Sequence, residues 1–154
     1  MIPKTTTRVA RNTSEHMNEQ IRRQTEENVA RAAAAGADAI DRRLEELERE
    51  WDIERILEAN AASLALVGLG LGAFVDRRWF VLPAVVAGFL LQHAIQGWCP
   101  PVPLFRRLGV RTQTEIDYER YALKALRGDF QQLPAEPSGM DHASAIRVLE
   151  AVKR

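Results

Sequence analysis

The centre of the chain reads NAASLALVGLGLGAFV over Asn60–Val75 and FVLPAVVAGFLLQHAIQGW over Phe80–Trp98, with DRRW at positions 76–79 between them. Each apolar run lies near the lower edge of the roughly 17–25 residues with which a helix spans a bilayer. The competing reading is a buried helical hairpin in a soluble core. Three features favour the membrane. Both runs are apolar nearly all round and leave no polar stripe for water. Glycine is frequent, and Pro83 falls in the first turn of the second run, where its missing N–H costs little. Trp79 and Trp98 bracket that run. At 1.5 Å per residue they stand roughly 28 Å apart, close to the ~30 Å hydrocarbon thickness, and they are the expected interface anchors.

Charge divides the chain around this centre. Between Ala59 and Phe105 the only residues charged at neutral pH are Asp76, Arg77 and Arg78. The whole chain has 154 residues, with 21 bases balancing 21 acids, so it offers no electrostatic footprint for nucleic acid. A single cysteine excludes an internal disulfide framework and any multi-cysteine metal site. The opening MIPKTTTRVARNTSEH has no apolar h-region, so no cleaved secretory signal is expected. The fold class is all-α: a two-helix transmembrane hairpin with N- and C-terminal amphipathic cytoplasmic helices. The expected organisation is a helical arm over 1–58, the hairpin over 59–99 with its turn at 76–79, a proline-rich exit and capped helix over 100–130, and a linker with a short last helix over 131–154.

Both ends of a hairpin lie on one side of the membrane. Arg42, Arg43, Arg49 and Arg55 precede it, and Arg106, Arg107, Arg111, Arg120 and Lys124 follow it, against only Arg77 and Arg78 in the turn. The positive-inside rule therefore places both termini in the cytoplasm.

The arms read as helices. Ser14–Ala35 is rich in helix formers, with Asn12, Thr13 and Ser14 as cap candidates and Gly36 as an interruption. Ala33, Ala37, Ile40, Leu44, Leu47 and Trp51 follow a four-three-four-three-four spacing, a short a/d seam with charged flanks. It suits either pairing between chains or an amphipathic helix lying on its own chain or on the membrane. Beyond the hairpin, Pro100, Pro101 and Pro103 predict an extended exit. Thr112-Gln113-Thr114-Glu115 is a capping box, and Gly128 is a stop for the helix that follows. That helix offers Ile116, Tyr121, Leu123 and Leu126 as its apolar side. Gln131–Gly139 reads as a linker and Asp141–Val152 as a last helix.

Within the apolar runs, Ala61, Ala65, Gly68 and Gly72 form one stripe of small residues, and Ala84 with Gly88 forms a second patch. Such positions let helix backbones approach closely in lipid. The same stretch formally matches a dinucleotide-binding fingerprint at Gly68–Ala73, but it lacks the preceding strand and the acid about twenty residues on. Gln92, His93 and Gln96 sit in the last two turns of the second run, and Asn60 and Ser63 at a similar depth in the first, so these five are a candidate polar cluster. An ionisable residue there raises the question of a proton or ion path, but a neutral histidine satisfied by an amide or headgroup is the commoner case. Cys99 is the candidate thiol. A small, weakly polar residue where a helix ends is the plainer account of it.

Gly97-Trp98-Cys99-Pro100 directly after an apolar helix, then Leu108-Gly109 and Thr112, resembles the YgaP-type transmembrane domain family of small bacterial inner-membrane proteins. The resemblance covers about residues 56–112, and the Pro-Val-Pro stretch makes the spacing from Cys99 to Gly109 longer than the usual pattern. It implies a two-helix hairpin, a bacterial inner membrane and a dimer, and no known activity for a chain of this form. In some members the hairpin follows a rhodanese sulfurtransferase domain, which is not present here. The expectation is a non-enzymatic accessory or scaffold protein without cofactor or metal, contacting membrane lipid and self-associating or joining a membrane complex. The alternative is a sulfur-handling protein in which Cys99 works with a separate sulfurtransferase. A channel or transporter subunit comes third.

Overall fold

The computed structural model describes residues 3–131 and 142–153, and the regular structure among them is all helical. In order these are α1 (Arg8–Arg11), α2 (Glu15–Ala35), α3 (Ala37–Arg49), α4 (Ile53–Phe74), a 3-10 turn (Arg77–Phe80), α5 (Val81–Gln96), α6 (Val102–Arg107), α7 (Gln113–Arg127) and α8 (His142–Lys153). The breaks have local causes. The Ser14 carbonyl takes the Met17 and Asn18 N–H groups as α2 begins. Gly36, at φ 92°, separates α2 from α3. The Asp52 carboxylate accepts the Arg55 N–H at 3.0 Å and caps α4.

By packing the chain forms two units. One contains α1, the start of α2 through Gln24, and Glu50–Ile116; the other contains Thr25–Arg49 and the chain from Asp117 onward.

In the first unit α4 and α5 form an antiparallel hairpin. Asp76 accepts the Arg78 N–H at 2.8 Å and closes the connection as 3-10 turn. The helices meet on Gly68 and Gly72. A Cβ at Gly68 would stand 2.6 Å from Pro83 Cδ, and one at Gly72 would stand 2.7 Å from the Phe80 ring. Ala61 and Ala65 are half-buried along the same stripe. The second small patch differs. Ala84 and Gly88 are exposed, and nothing lies within 4 Å of a Cβ built on Gly88. The helix α5 turns Leu82, Pro83 and Val86 inward instead, so its small residues look outward.

The exit is a correction to the sequence reading. The three prolines do not force an extended chain: Pro101 is the N-cap and Pro103 the second residue of α6. Proline is tolerated in a first turn because the N–H it lacks has no helical partner there.

In the second unit Ile40, Leu44 and Leu47 of α3 are buried within the chain. The seam does not continue beyond them. Ala33 and Ala37 flank the Gly36 break and are exposed, and Trp51 lies past the end of α3 with the Arg55 guanidinium 4.2 Å above its ring. Leu123 of α7 is buried, whereas Tyr121 and Leu126 are exposed, so the predicted apolar side is only partly correct. Buried Glu119 takes its place and accepts Arg43 Nε at 2.7 Å, while Arg127 reaches Asp41 at 2.6 Å. Gly128, at φ 92°, ends α7 as predicted. The linker expected over 131–139 lies outside the described residues, apart from Gln131.

Candidate functional site

The chain enters and leaves the hairpin at one end, and that base is the best-built part of the first unit. Its apolar layer is Val9, Ile53, Leu57, Cys99 and Val102, with Phe105 and Val110 packed against it. The Ile53 N–H donates to the Arg111 carbonyl at 2.8 Å, tying the incoming strand of chain to the outgoing one.

Three polar clusters, centred on Glu54, Glu115 and Glu50, surround this layer. His93, only 2% exposed, places Nε2 2.8 Å from Glu54 Oε2, and the other Glu54 oxygen accepts Arg8 at 2.8 Å. Opposite an ionised carboxylate Nε2 is the donor. Arg106, 1% exposed, grips both Glu115 oxygens at 2.7 Å, the Val110 carbonyl at 3.0 Å and Asn18 Oδ1 at 2.9 Å. Arg111 pairs with Glu50 at 2.6 Å. Glu115 closes the predicted capping box as well: it accepts the Thr112 N–H at 2.8 Å, and its own N–H donates to Thr112 Oγ1 at 3.3 Å. Burial alone would raise the Glu115 carboxyl. The Arg106 fork and the Thr112 N–H outweigh it and hold the group below its ordinary value. Removing Glu115 leaves the buried Arg106 charge without its carboxylate, at a cost of about 3–5 kcal/mol, whereas the acids are partly exposed and lose less when their bases are removed.

The expected polar cluster is not assembled. His93 turns to Glu54, almost two helical turns before Asn60, because α4 begins at Ile53 and extends the pairing surface below the apolar run. Ser63 donates to the Ala59 carbonyl of its own helix at 2.7 Å. Asn60 lines an apolar groove, Gln92 is half-buried, and the Gln96 backbone carbonyl accepts Asn12 Nδ2 at 2.8 Å. Sequence reasoning missed the partners Glu54 and Arg8 because they lie 39 and 85 positions from His93, and only their carboxylate and guanidinium chemistry marks them as candidates.

The helix α1 is strapped across this base. Val9 enters the core, Arg8 bonds Glu54, and Gly97 caps α5 in the left-handed region at φ 78°. A Cβ on Gly97 would stand 2.6 Å from the Arg8 backbone, so glycine meets both a conformational and a steric demand there.

Cys99 is 4% exposed within the apolar layer. Burial pushes its thiol above the ordinary value, with a smaller push from the Glu54 charge. Arg106 is committed to Glu115. Beside Cys99, an apolar groove of about 240 Å³ runs between α4 and α5, lined by Leu57, Leu64, Val85, Phe89 and Pro101 among others. Trp79 is exposed at the far turn, and Trp98 is half-buried at the base. Among the described residues no three His, Cys, Asp or Glu side chains are grouped to hold a metal ion. The arrangement is suited to binding chain segments together at the hairpin's root.

Comparison with protein-family models, with curated proteins and with solved structures finds no match to this chain.

Proposed function

We propose that this chain is a non-enzymatic membrane hairpin protein that self-associates and presents its helical arms to a cytoplasmic or membrane partner. The observation that carries the reading is the exposed apolar surface of the hairpin. Two helical stretches, Ala37–Phe74 and Arg77–Gln96, are long and apolar enough to cross a membrane, and only 17% and 6% of their apolar windows are buried. The core helix of a soluble protein would be mostly buried. Leu66, Val67, Phe74, Val81 and Leu91 all project outward. Contiguous apolar surface on this scale needs lipid or another protein.

The excess of arginine and lysine before and after the hairpin supports two cytoplasmic termini. Outward-facing Ala84 and Gly88 support contact between hairpins, since they leave room for a second backbone. The burial of Cys99 supports a packing role for it rather than a relay of sulfur.

The test is membrane extraction followed by topology mapping. The chain resists alkaline extraction, and in a Cys99→Ser background Arg78→Cys reacts with an impermeant thiol reagent in intact spheroplasts while Gln20→Cys reacts only after lysis. Alkaline release, or the reverse labelling pattern, refutes the hairpin or its orientation. Gly88→Cys chains crosslink to one another under mild oxidation; a wholly monomeric product refutes self-association through that face.

A further inference from the structure

We infer that α6 and its C-cap residue form a second, shallower membrane contact: the outward side chains Leu104, Arg107 and Leu108 seat in the anionic headgroup region of the bilayer that the hairpin crosses. The inference rests on the hairpin reading and adds to it a surface that the apolar runs do not include.

The position of α6 comes first. Cys99 and Val102 share the apolar layer with Ile53 and Leu57. Pro100 and Pro101 line the hairpin groove together with Leu64 and Val85. The segment leaving α5 therefore stays against the hairpin's apolar flank instead of departing from it, and α6 starts directly after Pro101, a residue of that groove.

Its facing is fixed. Val102 and Arg106, one turn apart, are buried. The four hydrogen bonds of Arg106 to Asn18, Val110 and Glu115 prevent α6 from rolling. The opposite side is left exposed, with Leu104 at 57% and Leu108 at 70%. Leu104 and Leu108 also stand one turn apart and form a single apolar ridge, with exposed Arg107 beside it. Apolar side chains next to a cation match the acyl–headgroup boundary, where apolar burial and attraction to anionic lipid act together.

A protein occupant fits less well. Two leucines and an arginine fall far short of the roughly 800 Å² per partner of a stable protein interface. A lipid surface needs no such area, because the hairpin already holds α6 against it and makes the contact intramolecular.

The test uses nitroxide labels on the full chain in vesicles of phosphatidylcholine with and without phosphatidylglycerol. The labelled variants are Leu104→Cys, Leu108→Cys, Leu66→Cys and Gln20→Cys, in a Cys99→Ser background, with Cys99→Ala as the alternative background if the serine variant does not fold. Collisions with oxygen relative to a nickel chelate report depth. The expected ratio at 104 and 108 is severalfold above that at 20 and below that at 66. Arg107→Gln lowers it only where phosphatidylglycerol is present. Water-like values at 104 and 108 with a lipid-like value at 66 overturn the inference and leave the hairpin intact. A water-like value at 66 overturns both. Poor access to both reagents at 104 and 108 marks a protein cover and also overturns the lipid assignment.

Discussion

Replacing Gly68 by alanine probes the hairpin most directly. The added Cβ would lie 2.6 Å from Pro83 Cδ and 3.0 Å from Leu82 Cβ. Carbon atoms in good contact are about 3.5–4.0 Å apart, so the helices must separate by roughly 1 Å. Neither neighbour can swing aside: the proline ring is fused to its backbone, and a leucine Cβ moves only with the main chain. Overpacking of this kind costs about 1–3 kcal/mol, and the better helix propensity of alanine offsets up to about 1 kcal/mol of it. The net loss is then on the order of 1–2 kcal/mol. Gly72→Ala meets the ring of half-exposed Phe80, which can rotate, so its loss is smaller. Gly70→Ala has nothing within 4 Å and is neutral or stabilising by up to about 1 kcal/mol. Thermal unfolding of the full chain in mild detergent should therefore rank the variants with 70 highest, 72 next and 68 lowest. Equal midpoints for Gly68→Ala and Gly70→Ala would show that the helices do not meet at position 68.

Arg106→Met leaves Glu115, half-buried and still bonded to the Thr112 N–H, without its bidentate partner and should destabilise the chain by about 1–3 kcal/mol, with Arg106→Lys recovering only part, since an ammonium cannot form the bidentate fork; denaturant titration of both variants checks this. The Glu115 carboxyl is depressed in the folded chain, so its contribution is fully present above the unfolded value of 4.5 and is lost as pH falls through the lower folded value. A Glu115→Gln chain should start less stable at neutral pH and show a flatter acid limb; parallel acid limbs for the two proteins would contradict the pairing. With its thiol raised by burial, Cys99 should react slowly with charged thiol reagents in the native state and rapidly once unfolded, and Cys99→Ala should keep full in-cell function; a thiol titrating well below ~8.5 would refute this.

Local signals in the sequence carried over well. The capping box at Thr112 and Glu115, the stop at Gly128 and the tight contact at Gly68 and Gly72 each depend on residues within a turn or two, or on a property that glycine alone has. Long-range pairings were not legible. Arg106 and Arg107 entered the sequence reading only as two cytoplasmic charges after the hairpin, yet one is buried and the other exposed, because Asn18 and Glu115 converge on a single guanidinium. The position of His93 drew attention, but its partner lies in the polar part of α4 before the apolar run, where hydropathy gives no hint of packing. The prolines of the exit were read for what they forbid in a helix interior, and α6 uses them in its first turn.

The strap formed by α1 reverses the order in which this chain can mature. Arg8 and Asn12 are synthesised well before their partners: Arg8 bonds Glu54, 46 positions later, and Asn12 bonds the Gln96 carbonyl, 84 positions later. The seat for α1 is incomplete until Gly97, whose missing side chain makes room for the Arg8 backbone, has left the ribosome. The segment around α1 therefore gains its full seat only once both apolar helices have been made. A chain that stops between Glu54 and Gly97 holds the partner of Arg8 and part of the layer around Val9, Ile53 and Leu57, but lacks Cys99 and Val102, which complete that layer.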